Sequence, residues 1–132
     1  MIRVVCAVIF FEGRVLATQR GKHKNQPQLW EFPGGKIENG ESPEECIVRE
    51  LQEELRIHVK LKNRMQECFH DYGGFEINLI PFLAEFLSGT ITLTEHMNYA
   101  WLKPEELLRL EWAPADIPVV HEILVYCGTG RH

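Results

Sequence analysis

The chain has few cysteines, no long apolar run and no excess of positive charge, and each shortage excludes something. Its four cysteines, Cys6, Cys46, Cys68 and Cys127, form no C-x-x-C pair, so a zinc site is not expected. Cys6 and Cys46 sit among apolar residues and read as buried thiols. No apolar stretch reaches membrane-spanning length, so no membrane partner is expected. The N-terminus enters an apolar strand pattern without a basic leader or a small-residue cleavage site. A reducing cytoplasm is therefore the expected setting. Lys and Arg total 14 against 19 Asp and Glu, a net charge of −5. That balance gives no support for a nucleic acid polymer as partner, which calls for a basic patch. A small polyanion remains compatible, because a divalent cation can supply the positive charge. Repeats, low-complexity tracts and linkers are absent as well. With 132 residues and a 45% hydrophobic share, residues 1–132 are expected to form one domain able to bury a core.

What is present is patterned. Residues 2–11 are β-branched, aromatic and almost continuously apolar, which predicts a strand buried on both faces. Glu12-Gly13 is a turn, and residues 14–20 return as the second arm of a hairpin. Residues 21–28 are polar and read as a loop. Residues 29–32 are short and amphipathic, and Pro33-Gly-Gly35 breaks them. Ser42, Pro43 and Glu45 spell a capping box with proline at the first helical position. Ile47, Val48, Leu51 and Leu55 then share one face. Residues 58–71 and 75–87 read as two strands joined near Gly73-Gly74, the second interrupted by Pro81 at a bulge or an edge. Residues 99–102 read as a further strand, 104–110 as a short helix, and 115 to about 126 as the last helix. Hairpins mixed with helices predict an α/β (α+β) arrangement around a mixed sheet.

The chemistry concentrates in Gly35-Lys-Ile-Glu-Asn-Gly-Glu41 and Arg49-Glu-Leu-Gln-Glu-Glu-Leu-Arg-Ile57. Glu50, Glu53 and Glu54 fall at helical spacings i, i+3 and i+4 and so crowd one face. Their repulsion weakens a bare helix, and a cation relieves it. Oxygen ligands select a hard cation, Mg²⁺, Mn²⁺ or Ca²⁺, and Mg²⁺, with Mn²⁺ as a possible substitute, is the expected cofactor because it typically shares its coordination with substrate phosphates.

Gly35, Glu41, Arg49, Glu50, Leu51, Glu53, Glu54 and Ile57 stand at the fixed spacings of the Nudix box, and the chain resembles that family. The resemblance implies an α/β/α sandwich and metal-dependent hydrolysis of a phosphoanhydride bond. It implies Glu50, Glu53 and Glu54 as metal ligands, with the backbone of Gly34 or Gly35 contributing. Arg49 would orient a neighbouring carboxylate by a forked hydrogen bond, and Glu41 would support the loop. The segment Leu29-Trp-Glu-Phe-Pro-Gly-Gly-Lys36 resembles the MutT-like branch, which hydrolyses a nucleoside triphosphate to the monophosphate and pyrophosphate. That likeness implies phosphate contacts from Arg20 and Lys36, and a further metal-site carboxylate, Glu95, from a loop. Residues 112–119 resemble the branch's base-recognition segment, most closely that of enzymes acting on cytidine or modified pyrimidine triphosphates. There Asp116 either reads the base, caps the last helix, or does both. Trp30, Phe32 and Phe75 are candidate pocket aromatics. The histidines show no metal spacing and read as mostly surface residues, with His96 and His23 nearest the site.

The box departs from its pattern at Arg56, where glycine is expected in a left-handed turn. Arg there costs about 1 kcal/mol, unless the turn differs locally. Two other readings stay open. Tyr72 falls where diadenosine polyphosphate hydrolases carry a tyrosine, so a hydrolase of dinucleotides or nucleotide sugars is one. A non-catalytic nucleotide-binding module is the other, although such modules usually lose the box carboxylates. The state of assembly is expected to be a monomer or a homodimer.

Overall fold

The computed structural model describes residues 1–24 and 26–128; the histidine at position 132 lies outside them. The strands are β1 (Ile2–Phe11), β2 (Arg14–Arg20), β3 (Trp30–Glu31), β4 (Gly34–Lys36), β5 (His58–Arg64), β6 (Cys68–Asp71), β7 (Glu76–Ser88) and β8 (His96–Leu102). Helix α1 (Pro43–Leu55) follows β4, and α2 (Ile117–Tyr126) ends the described chain. Two 3₁₀ turns, Pro104–Arg109 and Pro114–Asp116, lie between β8 and α2.

The described strands join in one eight-stranded mixed sheet. Strand β1 lies at its centre, parallel to β7 over nine residue pairs from Ile2–Ile77 to Phe10–Glu85 and antiparallel to β2 and β4. Its continuous apolar run now has a cause. Val5, Ala7 and Ile9 face α1, packing with Ile47, Leu51 and Leu55. Cys6 and Val8 face the other way, toward Trp112, Val119, Val120 and Ile123. A strand with a core on each side has no polar face to show. Both cysteines expected to be buried, Cys6 and Cys46, are.

Four elements differ from the sequence expectation. Residues 58–71 are two strands, because β5 and β6 pair with successive halves of β7. Pro81 interrupts nothing: β7 runs through it as an interior strand. Pro81 sits where the antiparallel partner changes, between the Leu79–Cys68 and Phe82–Arg64 pairings, and a break in the ladder tolerates a missing donor. Gly34 and Gly35 do not simply end a segment. They form β4 against Val5 and Cys6, and a side chain on Gly34 would collide with the Val5 carbonyl. Finally, β8 begins three residues early, at His96. The other boundaries lie close to those expected, with the short helix at 104 wound as a 3₁₀ turn.

Candidate active site

The end of α1 is built by local chemistry. Ser42 Oγ accepts from the Glu45 amide at 3.0 Å, and Glu45 accepts from the Ser42 amide at 2.9 Å. At the other end Arg56 does take the left-handed conformation, φ 58° and ψ 40°. Its amide reaches back to the Gln52 carbonyl at 3.1 Å. The β7–β8 loop closes the terminus: the Thr92 amide donates to Leu55 O at 3.0 Å, and Thr94 Oγ1 donates to Glu54 O at 3.0 Å. Carbonyls otherwise left over at a helix end are satisfied in this way, and Glu95 is drawn up beside Glu54.

Arg49 organises the box. It forks onto Glu41, Nε to Oε2 at 2.6 Å and Nη2 to Oε1 at 3.0 Å. Its Nη1 lies 3.2 Å from Glu50 and 3.0 Å from Glu53, and Nη2 also reaches the Lys36 carbonyl at 3.3 Å. Glu41 in turn accepts from the Glu38 amide at 3.0 Å, so it fastens the loop. The Arg49 fork and the Glu38 amide together hold its carboxyl down at about 2. Below the loop the Cys46 thiol lies 3.3 Å from Lys36 O, and burial pushes it up to about 12. Glu50 rests its carboxylate where a Gly35 side chain would be. Only glycine allows that approach.

A cavity of about 800 Å³ opens beside this box, lined by Gly34, Gly35, Lys36 and Glu54 at one end and by Phe75, Ala115 and Asp116 at the other, with Arg20 and Glu95 also on its wall. Glu54 is a strongly perturbed acid at the box end of this cavity. Burial, reinforced by Glu50, Glu31 and Glu95, raises its carboxyl to about 8. Its Oε1 is buried without a hydrogen-bond partner. Among the described residues no three His, Cys, Asp or Glu side chains form a ready-made cation cage. The donor set still fits a hard cation. Glu54 offers an orphaned oxygen, Glu50 is raised by burial, and the remaining ligands of Mg²⁺ are ordinarily water and phosphate oxygens.

At the far end Asp116 is 7% exposed. Two main-chain bonds hold its segment to β3, Trp30 N to Glu111 O and Ala113 N to Trp30 O, both 2.8 Å. Asp116 stands at the N-cap position of α2 yet makes no capping bond. Its Oδ2 instead accepts from the Phe32 amide at 2.8 Å. The capping alternative is thereby set aside in favour of a side chain turned to the cavity wall. Burial, with Glu31 nearby, raises its carboxyl to about 8.

The predicted residues are not all gathered here. Trp30 faces a separate cleft with Pro27, Gln28 and Arg109, because it alternates with Glu31 on β3 and only Glu31 points into the cavity. Phe32 touches the cavity wall but is 3% exposed and stacked on Trp112, centroids 4.6 Å apart; it is chiefly a core ring. Phe75 is the exposed aromatic of the wall, stacked on Tyr72 at 5.5 Å. Glu53 is largely exposed, turned to Arg49 and away from the cavity lining. His23 is exposed and outside the lining.

Sequence reasoning missed a second layer. Glu31 joins Arg20, 2.7 Å from its Nη1, to His96, 2.9 Å from its Nε2. These contacts hold Glu31 below the usual carboxylate range despite burial. His96 is no surface residue: its side chain is 4% exposed. The one signal in the sequence was strand alternation placing Glu31 opposite Trp30. Tyr72 has a task that its position in the chain does not suggest; its Oη accepts from the Ala115 amide at 3.0 Å and ties the β6–β7 hairpin to the Asp116 turn.

Known proteins are similar to this chain in sequence and in fold. The chain is 38% identical to a CTP pyrophosphohydrolase of Escherichia coli over 124 residues, 94% of this chain and 92% of that one. It is 32% identical to an 8-oxo-dGTP diphosphatase of Haemophilus influenzae, again over 94% and 92%. The solution structure of the E. coli ORF135 protein superposes with a TM-score of 0.86 at 36% identity, covering 99% of this chain and 94% of that one. A MutT protein from Methanosarcina mazei superposes at 0.84 with 26% identity over 96% and 94%. The NUDIX domain matches residues 1–123, and with the box, the fold and these relatives in agreement the chain belongs to the Nudix hydrolase family.

Proposed function

We propose that the protein is a Mg²⁺-dependent pyrophosphohydrolase of nucleoside triphosphates, releasing the monophosphate and pyrophosphate, with a preference for cytosine or a modified pyrimidine over 8-oxoguanine. One observation carries the reading. A single cavity joins an acidic end, where Glu54 keeps an unpaired buried oxygen, to an end where Asp116 meets an aromatic wall. A triphosphate needs the first and a base the second.

Glu54 and Glu95 on the cavity wall, with the Gly34–Gly35 backbone, would hold the cation, and Glu50 and Glu53, which pair with Arg49 in this structure, would turn to it when it binds. Bound there, Mg²⁺ neutralises phosphate charge and lowers the pKa of water. Arg49 keeps Glu50 and Glu53 oriented and balances their charge. A carboxylate of this set takes the proton as water attacks phosphorus in line with the leaving oxygen. Arg20, steadied by Glu31, and Lys36 face the phosphates. Phe75, backed by Tyr72, offers the base a face to stack on. The other oxygen of Asp116, Oδ1, would meet the base edge. As a neutral acid it donates to a ring nitrogen or carbonyl, and ionised it accepts from an exocyclic amine. Cytosine presents both kinds of group. Support for the cytosine preference also comes from the relative called a CTP pyrophosphohydrolase, and a cytoplasmic setting suits four free thiols.

The test is pyrophosphate release with Mg²⁺ across ordinary, oxidised and methylated triphosphates, diadenosine polyphosphates and ADP-ribose. Selective turnover of a cytosine triphosphate is expected. Cleavage confined to diphosphate-linked compounds would refute the triphosphate reading. Glu53→Gln should abolish most turnover while leaving the circular dichroism spectrum intact; a protein that only binds nucleotide would be indifferent to it.

A further inference from the structure

Lys24 is a cation that neither the box nor the base segment accounts for. It lies in the loop between β2 and β3, and its Nζ is 3.0 Å from Glu95 Oε1. Both residues line the cavity together with Glu54 and Lys36. The root of the loop is packed against the same point, since a side-chain carbon on Gly21 would stand 3.3 Å from the Glu95 carbonyl. Lys24 also acts on Glu54, opposing the field of Glu95 there. The pair is half exposed, 44% for Lys24 and 50% for Glu95. Such a pair has a small net strength and exchanges readily.

We propose that Lys24 is a phosphate-binding residue that changes partners: it pairs with Glu95 before substrate binds, then moves to an outer phosphate oxygen when a divalent cation claims Glu95. The proposal rests on the polyphosphate-hydrolase reading of this site. Three considerations favour it. The ammonium occupies the carboxylate that a divalent cation held by Glu95 would need. The lysine stem is flexible, with its charge at the tip. A phosphate brought in beside the cation offers Lys24 a replacement partner of the same charge, so releasing Glu95 and capturing phosphate are coupled. The consequence has an unusual sign pattern. Removing the ammonium should strengthen binding of the cation alone and weaken binding of the nucleotide.

Lys24→Met tests this, with Lys24→Arg as the charge-keeping variant and Lys22→Met as an exposed control outside the cavity lining. Two dissociation constants are read: that of Mn²⁺ for nucleotide-free protein, by electron paramagnetic resonance, and that of a non-hydrolysable CTP analogue with Mg²⁺, by calorimetry. Lys24→Met should bind Mn²⁺ about two- to fivefold more tightly and the analogue about three- to tenfold more weakly. Lys24→Arg should bind the analogue as the wild type does, and Lys22→Met should change neither constant. Unchanged or weaker Mn²⁺ binding in Lys24→Met, or unchanged analogue binding, overturns the proposal while leaving the hydrolase reading intact. A wild-type protein that binds no triphosphate analogue overturns that reading and the proposal with it.

Discussion

Glu54 carries a conflict that a stable fold would avoid. Its Oε1 is buried and unpaired, and Glu50, Glu31 and Glu95 all raise its carboxyl. An uncompensated buried acceptor costs about 1–3 kcal/mol, a cost consistent with a residue kept for its chemistry. Glu54→Gln keeps the shape and removes the ionisation. At pH 9 without metal, where the wild-type carboxyl is ionised, the variant should be more stable by roughly 1 kcal/mol, read from urea midpoints. With Mg²⁺ its turnover should fall by about 10²-fold or more. A variant that loses stability and keeps its turnover would make Glu54 structural. Arg49 shows the converse arrangement: Glu41, Glu53 and the Lys36 carbonyl all accept from its guanidinium, so it is satisfied before any ligand arrives.

At the scale of elements, α1 is a rigid bracket with two different ends. The start was fully legible, because a capping box is local chemistry and is found as read. The end was not, because Arg56 departs from the expected glycine. The left-handed turn survives the departure since the packing dictates it. Gly89 lies so close to the Arg56 carbonyl and Ile57 that a side chain there would collide, and Thr92 and Thr94 tie the next loop to the last carbonyls of the helix. Arg56→Gly should therefore relieve strain, raising stability by about 0.5–1 kcal/mol in chemical denaturation, with kcat unaltered. A drop in stability would mean that Arg56 makes up for its backbone with its side chain. The strands were less legible than the helix. Residues 58–71 look continuous because each half alternates properly, and only their division along β7 separates them.

For the whole molecule, the decisive feature is a sheet with a core on each face and a cavity at its rim. Burying two carboxyls there ties stability to pH. Asp116 and Glu54 are each raised to about 8 in the fold, from ordinary carboxylate values when unfolded. Between about pH 4 and pH 8 the folded state thus holds protons that the unfolded state has lost. By linkage, the stability these groups contribute is full below about pH 4, declines up to about pH 8, and is flat beyond. Asp116→Asn should flatten that decline in urea titrations at pH 5.5, 7 and 8.5 with the metal chelated. It should also weaken the preference for cytosine, since an amide neither ionises nor matches the acid's donor pattern. Parallel stability curves and an unchanged substrate ranking would together remove Asp116 from the base pocket.

The sequence alone determined the features set by spacing along the chain: the capping box, the apolar central strand, and the single helix face on which Arg49 meets Glu53 four residues on. Those features are local, so capping chemistry and periodicity reveal them. Tertiary structure decided which distant residues meet. Glu31 rather than Trp30 enters the cavity because β3 pairs with β2 in one register, Thr18 opposite Glu31. His96 reaches Glu31 and Lys24 reaches Glu95 only because β8 pairs with β2 and brings its first residues alongside Arg20. Asp116 turns from the helix it could cap to the Phe32 amide because main-chain bonds from Trp30 fasten that segment to the sheet. A contact across 65 residues, as between Glu31 and His96, has no period to read; the sheet's register creates it.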